Sequence, residues 1–184
     1  GKFIMGEYDC IFFDRDGTIN HDPGYISKLQ DFIFFEFTIS AFKLLESITN
    51  KFIIITNQSG VSKGLIKEND LLRINDFIMN ELKKNKLPLL KIYYCTDHPD
   101  RATNRRKPGS GMFLDAARDY NIDLSNCLMI GDSISDIQPA NNLGMDSMLV
   151  LTGNGESHHS RFSEDNEPTY VSKNILTGAK LLTK

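Results

Sequence analysis

Short runs of consecutive apolar residues alternate along the chain with stretches in which apolar residues return every three or four positions. The runs cover 8–13, 52–56, 92–95, 127–130 and 147–151, with a weaker one at Tyr170 and Val171. Strands of a parallel sheet read this way because helices cover both of its faces. Between the runs the spacing is helical. Ile39, Phe42, Leu45 and Ile48 share one face of a helix that Thr38 is expected to cap and Asn50 to end. Leu71, Leu72, Ile74, Ile78, Met79 and Leu82 mark a second amphipathic helix, and Met112, Phe113, Ala116, Ala117 and Tyr120 a third. Residues 134–143, closed by Gly144, predict a fourth, and 175–182 a terminal helix lying on the sheet. The alternation predicts an α/β fold, and no internal repeat is visible. The stretch 152–168 has hardly any apolar residue and is rich in Gly, Ser, Asn, Glu and His, so it reads as a mobile surface loop. His158 and His159 fall inside it and read as solvent-exposed, without a catalytic role.

With 184 residues, 40% of them hydrophobic, the chain has the material for one domain spanning 1–184. Domains usually run to roughly 100–200 residues. Lys plus Arg number 21 against 24 Asp plus Glu, a net charge of −3. No basic stripe interleaved with aromatics is present, which weighs against a nucleic-acid partner. The apolar runs fall far short of the roughly 18 residues of a membrane span. The first six residues lack an apolar signal core, and a cytoplasmic protein is expected. Cys10, Cys95 and Cys127 are an odd number in a chain large enough to do without staples, and read as reduced thiols. No heptad or apolar helix is left without an intrachain use, so a monomer is expected.

Candidate chemistry gathers where strands end. The first run leads into Asp14-Arg15-Asp16-Gly17-Thr18, with two carboxylates two residues apart at the carboxyl end of a strand, the edge where open α/β sheets bind ligands. By itself such a segment also fits a turn closed by an Asx hydrogen bond, but the rest of the chain adds to it. Crowded carboxylates repel unless a cation or a proton relieves them. The second run ends in Thr56-Asn57-Gln58-Ser59-Gly60, whose hydroxyls, amides and backbone N–H groups can hold a phosphoryl oxygen. Arg105-Arg106-Lys107-Pro108 adds positive charge, and the fourth run leads into Gly131-Asp132-Ser133-Ile134-Ser135-Asp136. Hard Mg2+ takes a few oxygen ligands plus waters, which Asp14, Asp132 and the Asp16 carbonyl could supply, with Asp136 in support.

In this order the segments resemble the four motifs of the haloacid dehalogenase-like phosphatases. The resemblance implies a Rossmann-like three-layer α/β/α fold with a mainly parallel sheet and little or no cap domain. It also implies Mg2+, with Asp14 as the nucleophile that forms an aspartyl-phosphate and Asp16 as general acid and base. Thr56 and Lys107 would stabilise the transferring group, as a carboxylate attack on phosphorus requires. A narrower resemblance, carried by Asp14 to Asn20, His21 to Tyr25, Thr56 to Gly60, Tyr93-Tyr94-Cys95 and Arg106-Lys107-Pro108, is to the D-glycero-D-manno-heptose 1,7-bisphosphate phosphatases. The histidinol-phosphate phosphatases are close behind. It implies that Asp22, Pro23, Gly24, Tyr25, Thr56, Asn57, Gln58, Ser59, Arg106 and Lys107 bind a small phosphorylated sugar, in nucleotide-heptose synthesis for a bacterial surface polysaccharide. A phosphate-binding regulatory protein without turnover is the alternative from another class, and intact Asp14 and Asp16 argue against it.

Two features depart from that family. Its structural zinc is held by a Cys-x-His and a Cys-x-Cys pair, whereas this chain keeps Cys95 and has Asp97, Thr103 and Arg105 at the other positions. Structural Zn2+ is therefore not expected. Ser133 stands where related heptose phosphatases often have Lys, which removes one phosphate contact, and Arg105 is expected to compensate by adding a planar donor beside Arg106.

Overall fold

The computed structural model describes residues 7–184, so the first six residues, read above as lacking a signal core, lie outside the described part. Six strands form one all-parallel sheet: β1 (Cys10–Phe13), β2 (Phe52–Asn57), β3 (Leu89–Cys95), β4 (Cys127–Gly131), β5 (Asp146–Val150) and β6 (Tyr170–Ser172), in the order β3-β2-β1-β4-β5-β6. The helices are α1 (Thr38–Leu45), α2 (Glu68–Lys84), α3 (Gly111–Tyr120), α4 (Ile134–Asn142), α5 (Gly155–His159) and α6 (Ile175–Leu182).

Strand alternation divides the apolar runs between two cores. Ile11 and Phe13 of β1, with Phe52 and Ile54 of β2, face α1, α2 and α6 through Phe42, Leu45, Ile78 and Ala179. Cys10, Phe12, Ile53 and Ile55 face the other way, onto Met112, Phe113 and Ala116 of α3 and Ala140 of α4. Every one of these strand residues is fully buried, which is why β1 and β2 read as unbroken apolar runs rather than alternating ones. Central β1 lies between β2 and β4, where the chain turns back and fills the other half of the sheet. In open α/β sheets the crevice at that switch point is the ligand site.

Three expectations need correcting. Thr38 does not cap α1: Phe37 holds the cap position, and the Thr38 hydroxyl donates to the Ile19 carbonyl at 2.8 Å, tying the helix to the loop after β1. That helix ends at Leu45 rather than near Asn50; Ile48 is reached by a turn, and its carbonyl accepts from the Tyr8 N–H. The stretch 152–168 is not a structureless loop, because it contains α5 and a short 3-10 turn at Glu164–Asn166. A five-residue helix is too short to show an apolar period. Among the described residues no helix is long and apolar enough to cross a membrane.

Candidate active site at the carboxyl edge of the sheet

The ends of β1, β2 and β4 converge on a cleft of about 280 Å³ open to solvent. Asp14, Thr56, Lys107 and Asp132 line its floor, and Asp16 stands beside them. Lys107, 2% exposed, donates to Asp14 Oδ1 at 2.9 Å, to Asp136 Oδ1 at 2.5 Å and to the Ile55 carbonyl at 2.7 Å. Burial works against its charge, but the carboxylates of Asp136 and Asp14 overcome that and hold its pKa above the usual lysine value. Its backbone is clamped by Asn57, whose side chain donates to the Lys107 carbonyl and accepts from the Lys107 N–H. The strand end of β2 thus fixes a loop residue fifty positions away.

Asp14 and Asp16 have opposite environments although they are neighbours in sequence. Burial, and then repulsion from Asp136, push Asp14 up to about 6 against the pull of Lys107. Asp132 is pushed well above the usual carboxylate range by burial, Asp14 and Asp136. Burial also acts on Asp16, but the Arg15 guanidinium outweighs it, and the pKa falls below the usual value. Arg15 is wholly buried and grips both Asp16 oxygens, while Asn20 and Gln58 donate to one each.

Ligand atoms of Asp14, Asp132 and Asp136 lie within 4.8 Å of one another, the one cluster among the described residues suited to a metal ion. Asp136 is already engaged, since Lys107 holds one oxygen while the other accepts from the Asp132 N–H and the Ser133 hydroxyl. That leaves Asp132, which Asp14 and Asp136 repel, and the Asp14 oxygen that Lys107 does not hold, and an all-oxygen set of this kind fits a hard divalent cation.

Two glycines bring a further segment to the floor. Gly17 and Gly153, both at positive φ, pack against each other, and a Cβ on either would collide with the Asp132 carboxylate. The Thr152 hydroxyl donates to the Gly17 carbonyl, and the Asn154 N–H to Asp132 Oδ2 at 2.9 Å. The segment after β5 therefore helps position Asp132. Asn154 and His158 line the cleft, and so do Gly60, Ser133 and Ser135. Sequence reading missed Asn154, Ser135 and His158; the two glycines bracketing Asn154 were the available signal of a close approach.

The predicted substrate residues divide. Asp22, Gly24, Tyr25, Asn57, Gln58, Ser59 and Arg106 line the cleft; exposed Pro23 does not. Asp22 accepts from the Gly24 N–H in a tight turn, and Tyr25 takes a hydrogen bond from Lys63 at the rim. Gln58 is turned inward, donating to Asp16 and to Thr56. Tyr93 and Tyr94 point away from the cleft, to Asp119 and Glu68. Arg105 does not stand in for the missing Lys: its guanidinium bonds Asp115 and the Tyr94 carbonyl, outside the cleft. In the loop that the resemblance sets against a zinc site, Asp97 accepts from the Thr103 N–H and hydroxyl, and His98 from the Asp100 N–H.

Comparison with known proteins fits this geometry. A family model described as HAD-hydrolase-like matches residues 104–177. A D-glycero-beta-D-manno-heptose-1,7-bisphosphate 7-phosphatase of Photorhabdus laumondii is 37% identical over 152 residues, 78% of this chain and 81% of that protein. The alpha-anomer enzyme of the same organism is 32% identical over 179 residues, 93% of this chain and 94% of its own length. Among solved structures, D,D-heptose 1,7-bisphosphate phosphatase from B. bronchiseptica, complexed with magnesium and phosphate, superposes with a TM-score of 0.84. It is 30% identical and covers 95% of this chain and 97% of its own. Identity at this level over this much of the chain settles the relationship: the chain belongs to the haloacid dehalogenase-like D-glycero-D-manno-heptose-1,7-bisphosphate 7-phosphatase family.

Proposed function

We propose that the protein removes the C7 phosphate of a D-glycero-D-manno-heptose 1,7-bisphosphate, through an aspartyl-phosphate on Asp14. The observation that carries this reading is the Lys107 contact with Asp14 and Asp136 beside the Asp14–Asp132 pair. It sets one buried ammonium and a cation-seeking carboxylate pair around a nucleophile at the base of an open cleft. Asp14 attacks phosphorus, the bond to the C7 oxygen breaks, and Asp16, which takes up a proton from solvent when the negative charge of the phosphate ester enters the cleft, passes it to that oxygen. Water then attacks the acyl phosphate and Asp16 takes its proton, so that phosphate leaves and Asp14 is restored.

Arg15 holds Asp16 in the form that accepts a proton, so Asp16 is set up for the second step. Lys107 keeps positive charge beside Asp14 throughout. Thr56, held by Gln58, offers its hydroxyl to a phosphoryl oxygen, as does the backbone of the segment after it. Asp14, Asp132 and the Asp16 carbonyl would hold Mg2+, with Asp136 orienting Asp132, and the ion would supply charge to offset that of the phosphoryl group. Arg106 and Tyr25 at the rim suit the sugar and its second phosphate. A cytoplasmic site of action fits three unpaired thiols.

The test is phosphate release with Mg2+ from both heptose 1,7-bisphosphate anomers, other sugar phosphates and histidinol phosphate, with Asp14→Asn as blank. The expected result is a clear preference for a heptose bisphosphate that chelator abolishes. Preference for histidinol phosphate would overturn the substrate, and turnover by Asp14→Asn would overturn the nucleophile.

A further inference from the structure

His158 stands in the segment whose sequence reads as a polar loop, yet the fold seats it against the cleft. The contacts of Thr152 with Gly17 and of Asn154 with Asp132 draw the start of α5 onto the floor. One turn later the His158 Nδ1 accepts a hydrogen bond of 3.0 Å from the Ile134 N–H. That amide is the first of α4, an orphan donor; a serine at the preceding position would commonly serve the amides one and two residues further on. Ser133 is at that position but makes no such bond; its hydroxyl is with Ser135 and Asp136. An imidazole from another element therefore caps the helix.

The acceptor role fixes the tautomer. A ring nitrogen that accepts carries no proton, so the proton of the neutral ring is on Nε2. Burial pushes the ring's pKa down, which keeps it neutral at pH 7. Nε2 makes no hydrogen bond within the described residues, and the ring lines the same cleft as Asp14. The Ile134 amide that it accepts from lies between Ser133 and Ser135 in sequence, and Asp132, Ser133, Ser135 and Asp136 line the cleft with it. A second anion would be repelled on this wall, whereas a neutral oxygen would not.

We propose that His158 is a substrate-recognition residue whose Nε2–H donates to a hydroxyl oxygen in the alcohol portion of the phosphate ester. The inference rests on the sugar-phosphate reading above and adds to it a wall selective for a polyhydroxylated leaving group. Arg106 on the rim then faces charge, and His158 faces hydroxyls.

The helix-capping role and the substrate role can be separated. In His158→Asn the side-chain oxygen stands where Nδ1 stood and still accepts from Ile134, but the outer donor is gone. This variant should raise KM for heptose 1,7-bisphosphate about 3- to 10-fold, the worth of one neutral hydrogen bond, with kcat held within about twofold. Hydrolysis of p-nitrophenyl phosphate, which has no hydroxyls, and Tm should stay at the wild-type values. His158→Gln, which keeps a donor near the Nε2 position, should bring KM back toward wild type. A wild-type KM in His158→Asn would overturn the inference, and so would an equal loss on both substrates. Should the wild-type protein hydrolyse p-nitrophenyl phosphate but no sugar phosphate, the sugar-phosphate reading itself falls, and the inference with it.

Discussion

The floor of the cleft and its rim are built from different materials. On the floor, Asp132, Asp136, Lys107 and Thr56 are all buried, and their partners are strand ends, backbone amides and one another. At the rim, Asp22 and Tyr25 are exposed, Arg106 is half-buried, and their side-chain contacts are few. Charge on the floor is strong because water is largely excluded, and the same exclusion makes any unpaired group there costly. The rim is wet, so its groups can be exchanged at little cost in stability. On the proposed reading, chemistry is thus tied to folding, whereas substrate choice is not.

Three substitutions probe that contrast. Lys107→Met leaves Asp14 and Asp136 without their buried partner. It should reduce stability by about 3–5 kcal/mol in urea unfolding, and hydrolysis by about 100- to 1000-fold. A fully stable, active Lys107→Met protein would show that the floor is not held by charge pairing. Gly153→Ala puts a methyl group against the Asp132 carboxylate and the Gly17 backbone. The Mg2+ concentration for half-maximal activity should rise about 10- to 100-fold, the usual result of disturbing the support of a metal ligand; an unchanged Mg2+ requirement would detach the segment after β5 from the floor. Arg106→Ala, at the rim, should raise KM for a bisphosphate about tenfold while kcat and the urea midpoint hold. A fall in kcat comparable to that of Lys107→Met would erase the distinction between the two regions.

The same division decided what could be read from sequence. Most floor residues end or follow apolar runs, so strand assignment places them: Asp14 after β1, Thr56 within β2, Asp132 after β4, while Lys107 comes in from a loop that Asn57 holds. Their roles in a shared site depend only on parallel strands ending at one edge. The errors fell where short-range pattern has no hold. Thr38 has the composition of a cap, but its hydroxyl is claimed by Ile19, a contact nineteen residues away that no local rule contains. Arg105 and Arg106 are adjacent and chemically alike, yet only one faces the cleft, and its neighbour is drawn off by Asp115. His158 sits in a polar stretch whose only ordered helix is five residues long, and its partner Ile134 lies twenty-four positions back. Long-range polar contacts of this kind carry no periodicity.

The way Lys107 is held also bears on chemical intervention. All three of its ammonium hydrogens are occupied, by Asp14, Asp136 and the Ile55 carbonyl, and its pKa is raised, so the nitrogen has no available lone pair at neutral pH. Electrophiles that acylate amines or condense with them need that lone pair. Such reagents will label the exposed lysines and pass over this one, leaving the active centre intact. An inhibitor would do better to imitate the phosphoryl group that Asp14 is proposed to receive than to trap the lysine beside it.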